Sequence, residues 1–335
     1  GTALAKILTD NGQTIYWWNR SEAAIRQFKD RKHNPQYLPS ARFNIDQLHL
    51  TTNVEEVIRH SEVIVIAIPS AYTIDVLEKL PAGIFEGKKI VSAIKGIIPQ
   101  NNLLLNDYLK QQFNFELENY FAVLGPCHAE EVAQEKLSYL TFSGTDVETT
   151  RQIAENFKTP YLNTVINKDI YGVQYAAVLK NIYAVGAGIA HGLDYGDNFL
   201  SVLIANSADE MAGFLRKAGI INAEVGYIDH KKAGPFSESH HNYAASVYLG
   251  DLLGTCYAFH SRNRTFGNMI GKGYSVKAAQ LEMSMVAEGY YASQCMYHIN
   301  KDIMADMPIA GTVYDILWNG VNAAEGFSKM EDDLV

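Results

Sequence analysis

The chain has 335 residues, 47% of them hydrophobic and 19% charged, a balance that excludes disordered and fibrous proteins and favours two folded domains over one core. Its formal net charge of −9 speaks against nucleic-acid binding, and no run of about 18 apolar residues is present, so no stable membrane insertion is expected. Three widely spaced cysteines, Cys127, Cys256 and Cys295, show neither a disulfide framework nor metal-ligand spacing; they point to a reducing, cytoplasmic setting, and no metal is expected.

In chain order, GTALAKILTDNG begins as a helix and stops at Asn11-Gly12. Thr14–Arg20, TIYWWNR, is a short buried strand, followed by the polar helix SEAAIRQFKDRK and the loop HNPQYLPS. VEEVIRH is helical, and Glu62–Ser70, EVIVIAIPS, is the near-continuous apolar run of a central parallel strand. A helix follows through Leu80, then the strand Lys88–Gly96, a helix around Leu103–Gln112 and the strand Tyr120–Pro126. HAEEVAQEK and a strand pair near LSYLTFSG and PYLNTVI complete the set. This alternation predicts an α/β domain over 1–166 with a Rossmann-like, doubly wound parallel sheet. From Ile170 onward the segments are long and helical, so 167–335 reads as an all-α substrate and catalytic domain with a loop-rich insertion over 221–247.

Two features of the first domain point to a dinucleotide. Gly1 stands directly before a small-residue helix, as the third glycine of a G-x-G-x-x-G turn would. On that reading the first strand and the two earlier glycines are missing from this chain; the alternative is a frayed terminus. Arg20 stands where an NAD site carries an acidic residue and suits a 2′-phosphate instead, although a surface arginine after a strand is also common.

In the second domain, Val173, Ala176, Ala177, Lys180, Ala184 and Ala187 fall on one helical face. A lysine among small apolar neighbours is partly desolvated, which lowers its pKa; the alternative is an ammonium that snorkels to solvent past the alanines. Lys95 follows a parallel strand, at the end where such sheets bind ligands. SRNRTFG offers Ser261 and Asn263 as short caps or donors and Arg262 as a fork for phosphate, with an ordinary basic N-cap as the alternative. Asp251, set among apolar residues in YLGDLLG, either orients Lys180, accepts from a substrate hydroxyl or caps a helix. His191, His240 and His241 have no metal-like spacing with carboxylates.

Taken together, GTALA, NPQYLP (Asn34–Pro39), VSAIKGI (Val91–Ile97), GPCHAEEVA (Gly125–Ala133), LKNIYAVGAGI (Leu179–Ile189), GDLLGTC (Gly250–Cys256), SRNRTFG (Ser261–Gly267), VAEG (Val286–Gly289) and MPI (Met307–Ile309) resemble the bacterial-type NAD(P)-dependent glycerol-3-phosphate dehydrogenases, in the family's order, from Gly1 to about Trp318. The resemblance implies a Rossmann-like domain and a helical second domain like the C-terminal domain of 6-phosphogluconate dehydrogenase, with the site in the cleft between them. It implies reduction of dihydroxyacetone phosphate to sn-glycerol 3-phosphate with NAD(P)H, feeding glycerophospholipid synthesis.

By position, Lys180 matches the family's proton donor and acceptor. Lys95, Gly125, Cys127, Asp251, Ser261, Arg262 and Asn263 match substrate contacts. Arg20, Tyr37, Lys95, Ala129, Arg262, Val286 and Glu288 match the cofactor side. Cys127-His128 replaces the usual Ser-Phe, Gln174 a usual glutamate, and Ser21 a second basic residue of the adenosine end. A homodimer suits a helical second domain, though no sequence feature decides it. The rival readings are another two-domain dehydrogenase acting on a 2-hydroxyacid or a phosphogluconate, and a nucleotide-sensing module without turnover.

Overall fold

Short apolar runs that end at Pro, Gly or Ser become strands, and the capped amphipathic segments between them become helices. The computed structural model describes residues 1–220, 246–258, 261–283, 285 and 287–335. The chain divides into two compact units. The first comprises Gly1–Ile68, Ile74–Ile94 and Leu105–Ile170; the second comprises Pro69–Thr73, Lys95–Leu104 and Tyr171–Val335.

The first unit carries every strand found among the described residues. Its elements are α1 (Thr2–Asp10), β1 (Ile15–Trp18), α2 (Glu22–Arg31), β2 (Leu48–Thr51), α3 (Val54–His60), β3 (Val63–Ile66), α4 (Thr73–Leu77, begun in the second unit), β4 (Lys89–Ser92), α5 (Leu105–Phe113), β5 (Tyr120–Leu124), α6 (Ala129–Ala133), β6 (Ser138–Ser143), α7 (Val147–Glu155) and β7 (Leu162–Asn167). β1 and β2 form a parallel pair, and β3-β4-β5-β6-β7 form a second sheet. β5 is buried at every position, the mark of a central strand. α1 serves two cores: Ile7 packs with Val91, Phe121, Phe142 and Phe157, and Ala5 packs with Phe28, Ala41, Phe43 and Leu48.

Three elements differ from the sequence-based expectation. The sheet is not wholly parallel, because β6 runs antiparallel to β5, with Val123 opposite Phe142. The connection between them contains only the five-residue α6. Such a helix rises about 7.5 Å, whereas a five-residue strand spans roughly 17 Å, so no crossover helix covers the sheet here and residues 125–137 return the chain beside β5 in the opposite direction. β2 and α7 were also not predicted. β2 has no apolar run, and its alternation Leu-His-Leu-Thr becomes a strand through pairing with β1. α7 carries a legible cap: Asp146 accepts from the Thr149 N–H at 2.7 Å.

Beyond Ile170 the described residues hold helices only: α8 (Ile170–Gly192), α9 (Asp197–Lys217), a π-helical turn over Ser246–Gly250, α10 (Asp251–Tyr257), α11 (Arg262–Gly271), α12 (Val276–Glu282), α13 (Glu288–Ile303), α14 (Pro308–Trp318) and α15 (Ala323–Met330). Of the expected insertion over 221–247, residues 221–245 lie outside the described residues, and Ser246 and Val247 open the π-turn. α8 is apolar all round and buried, as a central helix must be. It meets α11 backbone to backbone: a Cβ on Gly188 would lie 2.1 Å from the Arg264 carbonyl oxygen, and one on Gly267 would lie 2.0 Å from that of Val185. Only glycine permits that approach. Among the described residues no helix is long and apolar enough to cross a membrane.

Candidate active site

Lys180 sits on α8 among the alanines of its face and is 3% exposed, so the snorkelling alternative does not hold. Its ammonium forms an ion pair with Asp251, which is 2% exposed. Asp251 opens α10 immediately after the π-turn, and Gly250 takes the N-cap position. Asp251 is therefore not the cap of α10, and its carboxylate pairs with Lys180. Thr255 ties its hydroxyl to the Asp251 carbonyl at 2.6 Å, one turn along α10.

Burial lowers the pKa of Lys180 to about 8; the charge of Asp251 opposes the shift and that of Lys95 adds to it. A single carboxylate only partly repays the loss of hydration. Burial also pushes the neighbouring Cys256 thiol up to about 12, so it is no nucleophile at neutral pH.

Lys95 is half-buried in the turn after β4. Its carbonyl accepts from Asn181 Nδ2 at 2.8 Å. The Asn181 Oδ1 accepts from Asn263 Nδ2 at 2.9 Å, and the Asn263 Oδ1 accepts from the Gly289 N–H at 2.9 Å. This amide chain links the Lys95 turn to α8, α11 and the start of α13. Both ends of the Asn263 amide are thus engaged in the interior. Next to Gly289, the carboxylate of Glu288 accepts from Ser70, from its N–H at 3.1 Å and from its hydroxyl at 2.5 Å.

Lys180, Asp251, Lys95, Asn263 and Glu288, all expected from the sequence, are therefore connected within the second unit. Ser261 caps α11, accepting from the Arg264 N–H, and Arg262 is exposed in the first turn. Arg264 is buried and donates to the Tyr257 carbonyl at 2.6 Å, tying α11 to the end of α10. Val286 lies outside the described residues. The sequence reading missed Asn181, Thr255 and Ser70. Asn181 carried a signal, a polar residue beside Lys180 on an otherwise apolar helix. Ser70 carried none, because its partner is 218 residues away.

The remaining expected residues belong to the first unit. Gly125 follows β5 with φ +132°, and a Cβ there would lie 3.1 Å from the Tyr139 carbonyl oxygen, so glycine is required. Cys127 packs against the core that contains Phe121 and Val132, and Ala129 opens α6 behind the N-cap residue His128. Arg20 is exposed just beyond the carboxyl end of β1. Ser21, in place of a second basic residue, caps α2 by accepting from the Ala24 N–H at 3.3 Å.

Tyr37 is held on an Asx turn. Asn34 Oδ1 accepts from the N–H groups of Gln36 and Tyr37 at 2.9 and 3.2 Å, while Asn34 Nδ2 donates to Thr2 Oγ1 at 3.0 Å. Gly1, the N-cap of α1, lies against the chain just past β3, since a Cβ on it would lie 3.7 Å from the Ala67 carbonyl oxygen. A helix N-terminus at the carboxyl end of a parallel strand is a donor set that suits a dinucleotide phosphate.

The family described as NAD-dependent glycerol-3-phosphate dehydrogenase matches the chain twice, its N-terminal domain over residues 1–150 and its C-terminal domain over 169–328. A glycerol-3-phosphate dehydrogenase [NAD(P)+] of Bacillus subtilis is 31% identical over 321 residues, which cover 96% of this chain and 88% of the relative. One from Staphylococcus carnosus is 31% identical over 331 residues, covering 98% and 94%. In fold, the chain is similar to the crystal structure of glycerol-3-phosphate dehydrogenase from Coxiella burnetii, with a TM-score of 0.83, 23% identity and coverage of 98% and 94%.

Proposed function

The chain belongs to the NAD(P)-dependent glycerol-3-phosphate dehydrogenase family, and from that premise we propose how its residues divide the reduction of dihydroxyacetone phosphate to sn-glycerol 3-phosphate. Bound NAD(P)H supplies the hydride that converts the C2 carbonyl of the substrate to an alkoxide. Lys180, as the ammonium, donates the proton that the C2 oxygen needs, and in reverse the neutral amine takes it back. Its pKa of about 8 keeps both forms accessible near neutrality, the condition under which general acid–base catalysis works best.

Asp251 holds the amine in one orientation, and the positive charge of Lys95 favours the developing alkoxide. Arg262, exposed at the start of α11, is the fork for the substrate phosphate. Ser261 and Asn263 keep that helix start and the Lys95 turn in place, and Gly125 and Cys127 are the substrate-side residues of the first unit. For the cofactor, Arg20 and Tyr37 take the adenosine end, and Ala129, Lys95, Arg262, Val286 and Glu288 the rest. Arg20 suits a 2′-phosphate, and Ser21 adds no second cation, which weakens any preference for NADPH over NADH. A homodimer in the cytoplasm, feeding glycerophospholipid synthesis, completes the proposal.

The observation that carries this reading is a buried amine paired with one carboxylate, with the charge of a second lysine acting on it. The test is the loss of NADH and NADPH absorbance on addition of dihydroxyacetone phosphate. Oxidation with that ketose and none with 2-keto acids is expected; the reverse pattern would overturn the substrate assignment.

A further inference from the structure

We infer that Ser70 is a positioning residue for the cofactor, acting by locking the carboxylate of Glu288 in one orientation; the inference rests on the dehydrogenase reading above. Ser70 lies in the turn after β3 and is fully buried. It grips both oxygens of one carboxylate: its N–H donates to Oε1 at 3.1 Å and its hydroxyl to Oε2 at 2.5 Å. A single residue thereby fixes the plane of the group, which a long side chain at a helix start does not otherwise keep.

The lock also touches the turn that carries Lys95. A Cβ on Gly96 would lie 2.6 Å from Ser70 Oγ and 2.7 Å from Glu288 Oε2. The Lys95–Gly96 backbone thus rests directly on the Ser70–Glu288 pair, with no room for a side chain between them. A carboxylate oxygen has two lone pairs and no hydrogen to give. With one lone pair per oxygen taken by Ser70, what Glu288 still offers is an acceptor. It suits a ligand donor such as a carboxamide N–H or a ribose hydroxyl and disfavours a phosphate. Ser70 decides where that acceptor points.

The experiment compares wild type, Ser70→Ala, Glu288→Gln and the double variant by quenching of protein fluorescence on NADPH and NADH addition and by steady-state kinetics. Loss of one charge-assisted bond predicts about five- to twentyfold weaker nucleotide binding in Ser70→Ala. The KM for the nucleotide should rise in parallel, with kcat within about threefold and the KM for dihydroxyacetone phosphate unchanged. Added to Glu288→Gln, Ser70→Ala should cost less than about twofold more, because one residue acts through the other.

An unchanged nucleotide Kd in Ser70→Ala, with or without a fall in Tm, overturns the inference, and so do effects that multiply in the double variant. A wild-type chain that binds NADPH but reduces no dihydroxyacetone phosphate sinks the substrate reading and leaves the Ser70 comparison to stand or fall on binding alone. One that binds neither nucleotide overturns both.

Discussion

Lys6 on α1 and Lys180 on α8 are almost equally hidden, 5% and 3% exposed, yet their amines are driven in opposite directions. At Lys6, burial pulls the pKa down, but hydrogen bonds and charges from two carboxylates, Asp10 and Glu135, outweigh it and the net shift is upward. The Glu135 side chain is 61% exposed, so this ion group keeps contact with water. At Lys180 the single partner, Asp251, is itself buried, and Lys95 adds a like charge, so burial wins and the pKa falls to about 8. Burial alone therefore does not make a lysine chemical. What matters is how deep the amine lies and whether its partners compensate: Lys180 is deep in the helical unit with one buried partner, whereas Lys6 lies nearer the surface of the sheet unit with two.

The sharpest way to break this comparison is to delete both amines. Lys180→Ala should lower kcat by about 10²–10⁴-fold with the far-UV circular dichroism unchanged, while Lys6→Met should leave kcat within about twofold. A loss under tenfold for Lys180→Ala in a folded protein would remove it from the mechanism.

Next in size is the removal of the partner. Reduction needs the protonated amine, so the rate of ketose reduction should fall as pH rises through about 8 in the wild type. Asp251→Asn takes away the charge that holds the proton on, so that fall should begin at lower pH, with kcat reduced roughly ten- to hundredfold. A pH profile that stays where it was would show that Asp251 does not tune Lys180.

The smallest effects concern packing. The helical unit brings α8 and α11 together at Gly188 and Gly267, so Gly267→Ala should destabilise by about 1–3 kcal/mol or more. Gly213→Ala on α9, where an added Cβ meets nothing within 4 Å, should instead stabilise by about 0.5–1 kcal/mol. Thermal unfolding of the two variants reads the difference, and equal shifts would contradict the close approach of the helices.

Much of this was readable before any coordinate. The alanine face of α8 offered a dry lysine beside the snorkelling alternative, and Asp251 stood out as a charge among leucines, because desolvation and helical period are local properties of a segment. The partner of each group was not readable. YLGDLLG left Asp251 between three roles, and the choice among them depended on a π-turn delivering it to Lys180 rather than on its own neighbours. SRNRTFG offered Ser261 and Asn263 as caps or donors without choosing between them; Ser261 caps α11, and Asn263 turns inward to bridge Asn181 and Gly289.

Period, capping and apolar runs are encoded within a few residues, and from them alone came the two kinds of architecture, most strands and helices, and the dry face that carries Lys180. Hydrogen bonds across 86 or 218 residues, and the return of β6 against β5 after a helix too short to carry the chain back, were decided by the tertiary structure. Such contacts depend on where separate segments come to rest, and no single segment records that.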